Sequence, residues 1–454
     1  MSATNYSKEI QKAYQITEQE YGARTKKSKE LHLQTQSCFP GGVPKNSVYF
    51  KPYPLALNNG KGAYVYDLDG NEYIDYMGGY SSMVLGNAHP AVVKAVSQVI
   101  SQGTLLSAAQ ELPFEHAMLL CKRMKAVDQV RYCNSGTEAT LAAIKAARAY
   151  TGKPAIVKME GAYHGYHDFL EYNLSGPYEN HPGDGIMPYT SALGVSRSTA
   201  QDLYVSQLND IEGLEAILAK HGHRIAAVLI DPSMGNARIV PATQKFMEAA
   251  RDLTKKYNTL LIFDEVMSFR TRVGGAQEAF GVYPDLTCLA KLIGGGFPVG
   301  AIVGKKEVMS VFDVTAKNKV NQSGTFSANT VTIAAGIATL KEFDHKAVDY
   351  LETLSVTMEE GMRATLNKYK FPASVIRIGS MISTHFTEKP PLNYVEACHN
   401  RDEFVNLFFL TMLNKGVFSA HETSWYLNTA MTPADIEKTL AAYDQTIEWF
   451  ASIV

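Results

Sequence analysis

An alternation from about residue 90 to residue 300 constrains the fold of this chain more than any other feature. Short apolar runs of strand type are separated by stretches of helical periodicity. The runs are AIVKM (155–159), AAVLID (226–231), LLIFDE (260–265) and LTCLA (286–290). AVVKAVSQVI (91–100) and TEATLAAIKAARAY (137–150) read as helices between and before them. Strands alternating with helices build a mostly parallel α/β sheet, and runs that are apolar throughout fit strands covered on both faces.

The flanks read differently. Residues 1–36 are polar with weak helical periodicity, suited to an arm or a peripheral helix. CFPGGVPKNSVYFKPYP (38–54) reads as an ordered loop. YVYDLDGNEYIDY (64–76) reads as a hairpin turning at Asp69–Gly70. Residues 175–199 carry many turn formers and read as a long surface loop. Beyond about 330 the alternation gives way to helices around SVIRIGSMISTHF (374–386). The expected division is an N-terminal segment 1–85, a large α/β domain 86–330 and a smaller α+β domain 331–454.

Composition excludes several classes. Hydrophobic residues make up 46%, charged residues 19%, and the net charge is −2. No basic tract points to nucleic acid, and no window approaches the roughly 18 apolar residues of a membrane span. The five cysteines are scattered without metal or redox spacing. The N-terminal stretch lacks the apolar core of a signal peptide, so a cytoplasmic location is expected.

Four motifs carry candidate chemistry. Asn134-Ser135-Gly136-Thr137 lies between a strand and a helix. A glycine turn opening a helix aims free N–H groups and the positive dipole end at one spot, a ready phosphate site. An ordinary helix cap fits the same residues. Asp264 ends LLIF, where α/β sheets bind ligands. A buried carboxylate there would ionise only beside a cation, and a solvated or capping carboxylate is the plainer reading. Lys291 stands between LTCLA and Ile293-Gly294-Gly295-Gly296. A buried lysine becomes a usable amine nucleophile, and glycines admit a bulky group. A snorkelling surface lysine fits equally. In GAYHG (161–165), Tyr163 could stack on a flat heterocycle, or simply pack at a turn.

Taken in order, these stretches resemble the class III, fold-type I aminotransferases. The similarity is strongest to the branch of glutamate-1-semialdehyde aminomutase and the β-amino-acid aminotransferases. PGGV (40–43), NSGTEAT (134–140), GAYHG, LIFDEVM (261–267), PDLTCLAKLIGGGFPVGA (284–301), SGTFSAN (323–329) and MTPADI (431–436) all match. The resemblance implies a pyridoxal 5'-phosphate enzyme acting on a small-molecule amine donor and keto acceptor. Lys291 would be the Schiff-base lysine and proton shuttle, and Asp264 would keep the ring nitrogen protonated. Ser135, Gly136, Thr137, Tyr163, His164 and Val266 would complete the cofactor site. Thr325 would reach the phosphate of a neighbouring subunit, because the family builds its sites across a homodimer interface. The N-terminal segment would pack with the small domain. A non-catalytic relic is the rival class, against which the intact Lys291, Asp264 and Tyr163 weigh.

The substrate side departs from the pattern. Lys45 stands where the β-amino-acid branch carries an arginine after the PGG turn. Glu422 stands where that branch has a second one. DEVMSFR (264–270) is one residue shorter than the aminomutase form, and DPSMGNARIV (231–240) opens with Asp231 where the family has Glu. Lys45, Tyr80 and Glu422 are therefore the expected substrate residues. Lys45 and Glu422 are expected to pair, with Tyr80 and Trp425 as apolar walls. Transfer between two molecules is expected over the alternatives, 2,1-amino migration and racemisation or epimerisation.

Overall fold

The computed structural model describes residues 8–174, 188–190 and 192–453. The chain opens with helices Lys8–Arg24 and Lys26–Thr35, then three antiparallel strands: β1 (Leu57–Lys61), β2 (Tyr64–Asp67) and β3 (Glu72–Asp75). The expected Asp69–Gly70 turn joins β2 to β3. The polar arm is anchored by Ile10, Ala13 and Tyr21, which are buried.

The central sheet is formed by β4 (Gln129–Cys133), β5 (Ala155–Met159), β6 (Leu203–Ser206), β7 (Ile225–Ile230), β8 (Leu260–Asp264), β9 (Leu286–Ala290) and β10 (Gly300–Gly304). Their order is β4-β10-β9-β8-β7-β5-β6. Every residue of β5, β7, β8, β9 and β10 is buried, as helices on both faces require. The 136–151 helix lies close on the sheet because Ala139, Ala142, Ala143, Ala146 and Ala147 line its buried face. It stops at Gly152, whose left-handed φ of 69° suits glycine.

Two strands were not legible in the apolar runs, β6 and β10. β10 pairs antiparallel with both β4 and β9. Its connection from β9, residues 291–299, is too short for the helical crossover that a parallel partner needs. The sheet is therefore parallel save for one strand.

The C-terminal part contains β11 (Ser374–Ile378), β12 (Met381–His385), β13 (Val417–Phe418) and β14 (Ser424–Tyr426). β11, β12 and β14 form one sheet, whereas β13 joins β3 in parallel register. The first and last parts of the chain thus share a sheet. The 330–342 helix packs on helices 90–100 and 111–123 and on the turn that follows β9, although the sequence grouped it with the C-terminal part. The expected loop at 175–199 falls largely outside the described residues. Among the described residues no helix is long and apolar enough to cross a membrane, and no group of ligands could hold a metal ion.

Candidate active site

The carboxyl ends of β7, β8 and β9 bring Asp231, Asp264 and Lys291 together. Asp264 closes β8 and is 5% exposed. Its Oδ1 accepts from the Val266 amide at 3.1 Å, and its Oδ2 lies 2.8 Å from Nδ1 of the buried His164. His164 Nε2 is buried without a partner among the described residues. Asp231 is turned to its own loop. Its Oδ1 accepts from the amide and hydroxyl of Ser233, both at 2.8 Å, and its Oδ2 from the Gly235 amide at 3.0 Å. Burial, then the field of Asp264, pushes the Asp231 carboxyl up.

Lys291 follows the last residue of β9 with a left-handed φ of 50°. That conformation costs a non-glycine residue about 1–2 kcal/mol, and such strain persists where surrounding packing dictates it. Burial lowers the Lys291 amine to about 8, against the fields of Asp264, Asp231 and Glu422, which favour its charge. The glycines that follow serve the chain itself. A Cβ on Gly295 would lie 2.5 Å from the Ala335 carbonyl oxygen of the 330–342 helix, and one on Gly296 would lie 2.9 Å from the Met83 sulfur. They admit neighbouring protein rather than a ligand.

The 136–151 helix begins beside the ends of β8 and β9, where a Cβ on Gly136 would lie 3.7 Å from Ala290 Cβ. Ser135 Oγ accepts from the Glu138 amide at 3.2 Å, so the cap reading holds for Ser135. The Gly136 and Thr137 amides lie in the first turn, where no intrahelical acceptor exists. Packing at this turn is tight. A Cβ on Gly136 would come 3.1 Å from Val266 Cγ2, and one on Gly165 would come 2.6 Å from Thr137 Cα. Tyr163 precedes His164 and is 47% exposed, so its ring is free to receive a flat ligand. Burial raises its phenol, as does Glu171.

The residues expected to meet the substrate separate into two groups. Tyr80 joins Met77, Met267 and Ile378 against a buried cluster of Ile239, Met381, Ala420 and Tyr426. Its hydroxyl donates to the Ser47 carbonyl at 2.7 Å. Burial, then the charge of Glu422, raises both the Tyr80 and the Tyr426 phenol. Glu422 is thus within electrostatic reach of Tyr80, Tyr426 and Lys291. Lys45 is exposed on its loop. The expected Lys45–Glu422 pair does not form: among the described residues Glu422 lies instead against His421, with Oε2 3.1 Å from the ring Nδ1. Trp425 is not a wall either. It is fully buried against Tyr76 and Phe408, because alternation along β14 turns Tyr426 to the opposite face. Thr325 is exposed, beside the phosphate-type turn of its own chain: a Cβ on its neighbour Gly324 would lie 2.8 Å from Asn134 Nδ2.

Two residues of this region lie within the quoted motifs but were given no role there. Glu265 is fully buried and accepts from the Ala276 and Gln277 amides and the Gln277 side chain, and burial moves it up to about 7. Arg270, also buried, donates to Ser380, Ser81 and Leu427. Neither stands out among ordinary charged residues without the fold.

A buried carboxylate, a lysine of lowered basicity, an open aromatic ring and a helix N-terminus can together hold a flat, cationic heterocycle bearing a phosphate. The family model for class-III aminotransferases matches residues 47–446. The chain belongs to that family. It is similar to glutamate-1-semialdehyde 2,1-aminomutase 2 of Brevibacillus brevis, with 38% identity over 429 residues, 93% of this chain and 98% of that protein. It is also similar to an omega-transaminase from Sphaerobacter thermophilus, with 35% identity and a TM-score of 0.89, covering 93% and 97% of the two chains. A transaminase solved with pyridoxal phosphate bound gives 30% identity and a TM-score of 0.87, covering 94% and 98%. This class-III member is a pyridoxal-phosphate enzyme of fold type I. The site fits the group: beside Asp264, His164 Nε2 is a buried polar atom that has no partner among the described residues.

Proposed function

We propose that Lys291 carries the cofactor as a Schiff base and moves the proton at the substrate carbon during an amino-group step. The observation that carries this reading is the meeting of Lys291 and Asp264 at the ends of adjacent strands, beside the start of the 136–151 helix. The cofactor, when bound, draws electrons from the carbon beside the substrate amine. Asp264 holds the proton on the ring nitrogen, and His164 orients that carboxylate through its 2.8 Å contact. Tyr163 covers the ring face. Gly136 and Thr137 hold the phosphate, with Ser135 capping the helix and Val266 closing the cradle. Lys291, with its amine lowered to about 8, stands partly neutral near pH 7–8 and is able to accept a proton. Reduction with borohydride followed by peptide mapping tests the assignment: label on Lys291 is expected, and label persisting in Lys291→Ala would overturn it.

For the type of reaction, the relatives weigh against the preference drawn from the sequence. The Brevibacillus brevis relative bears the name of an aminomutase. Migration of an amino group within one small molecule is accordingly the first reading. Transfer between an amine donor and a keto acceptor is the second, supported by the Sphaerobacter thermophilus neighbour and by Glu422, whose charge near Lys291 opposes an acidic substrate. Incubation with glutamate-1-semialdehyde alone decides between them. Isomerised product supports migration, whereas product only when donor and acceptor are both supplied supports transfer.

We take the working form to be a homodimer with the sites at its interface. The exposed Thr325 supports this, as does the apolar surface of the 90–100 helix, where Val93 is 48% and Ile100 55% exposed.

A further inference from the structure

Arg270 is 2% exposed, yet no carboxylate pairs with it among the described residues. A buried guanidinium without a counter-ion is rare, and here its acceptors come from three remote segments. Nε donates to Ser380 Oγ at 3.0 Å, Nη1 to the Ser81 carbonyl at 3.2 Å, and Nη2 to the Leu427 carbonyl. Arg270 itself sits on the short turn after β8, six residues beyond Asp264.

The Ser81 contact falls on an unusual piece of backbone. Gly78, Gly79, Tyr80 and Ser81 all have positive φ, at 48°, 56°, 53° and 74°. L-residues adopt this left-handed region singly, not in runs, so the turn needs outside support. Gly78 is held by Asp75, whose Oδ1 accepts from its amide at 2.9 Å. Tyr80 is held at its tip by Ser47, and Ser81 by Arg270. The product of the turn is the placement of the Tyr80 ring at the wall shared with Tyr426 and Met267.

We propose that Arg270 is a positioning residue that ties the end of the cofactor strand β8 to the Tyr80 turn, to the β11–β12 turn and to the exit of β14, and so fixes the substrate wall relative to Lys291. This rests on the reading of Lys291 as the Schiff-base lysine. Arginine suits the task because one planar group reaches three acceptors in fixed directions. Its charge also bears on Lys291. Asp264, Asp231 and Glu422 favour the charged amine, and Arg270 is the cation that opposes it.

The test compares Arg270→Met, Arg270→Lys and Tyr80→Phe in the full chain. One readout is the pH midpoint for acylation of Lys291 by acetic anhydride in cofactor-free protein, mapped by peptide mass. The other is KM against kcat in the holoenzyme. Arg270→Met is expected to move the midpoint upward by roughly half to one pH unit and to raise KM about tenfold. Arg270→Lys keeps the cation, so the midpoint stays while KM rises less. Tyr80→Phe loses the Ser47 bond and raises KM without moving the midpoint. Wild-type midpoint and KM in folded Arg270→Met would overturn the proposal. If that variant does not fold, Arg270→Lys and Ser380→Ala carry the test, and unchanged KM in both refutes it. Failure of borohydride to fix cofactor on Lys291 in the unmutated protein marks the failure of the earlier reading instead, whatever the KM values.

Discussion

His164 and Asp264 form a buried pair in which the ring Nδ1 lies 2.8 Å from Oδ2 of the carboxylate. The second carboxylate oxygen is held by the Val266 amide. Asp264 is therefore fixed on two sides before any ligand arrives, which is the preorganisation an electrostatic role requires. Asp264→Asn keeps the shape and removes the charge. Turnover is expected to fall by on the order of a hundredfold to a thousandfold, with a modest loss of cofactor. Near-normal turnover in steady-state assays would exclude a ring-nitrogen role for this carboxylate.

The lowered amine of Lys291 predicts a pH dependence with a definite sign. Its folded value, about 8, lies below its ordinary 10.5. In cofactor-free protein the folded state binds fewer protons than the unfolded state between these values. Stability therefore falls as pH drops from about 10.5 to about 8, and it is level below that window. Lys291→Met removes this slope, so the stability difference between the two proteins should change across pH 8–10.5 in urea titrations and stay constant below it.

Gly165→Ala should damage the turn at Thr137 that is proposed to hold the phosphate. The added Cβ would lie 2.6 Å from Thr137 Cα, and the site has a φ of +99°. Strain of this kind costs about 1–3 kcal/mol. Cofactor titration should show affinity weakened by about tenfold or more, and thermal melting should show a lowered Tm. A variant with unchanged affinity would place the phosphate elsewhere.

Glu422→Arg is expected to shift donor preference toward acidic substrates by roughly tenfold, because the charge near Lys291 changes sign. Competition assays between a neutral and an acidic amine read this directly. An unchanged ranking would put Glu422 outside the substrate path, leaving its contact with His421 as its whole role.

Much of the architecture was legible because β5, β7, β8 and β9 are covered on both faces and read as short, mostly apolar runs, with Lys158 of β5 the charged exception. β10, GAIVG, escaped because two of its five residues are glycine. β6, LYVS, escaped because it is short and lies at the sheet edge. In the site, Lys291, Asp264 and the 134–137 turn could be read because each sits at a strand or helix boundary that the sequence itself marks. Arg270 could not, since its meaning lies in acceptors at 81, 380 and 427 that only the fold brings together. The same holds for Trp425: its neighbour Tyr426 packs in the cluster that meets Tyr80, and a one-residue difference along a strand reverses which side chain does so.

The pairing of β3 with β13 has a consequence for how the protein is made. Ile74 meets Val417, so strands emerging early on the ribosome have no completed sheet until the chain is nearly finished. At ordinary synthesis rates that delay is on the order of tens of seconds. Throughout it the outer edge of β3 offers unpaired N–H and C=O groups to any neighbouring nascent chain. Loss of the short Val417–Phe418 strand would extend that vulnerable interval indefinitely, and its first symptom would be reduced yield.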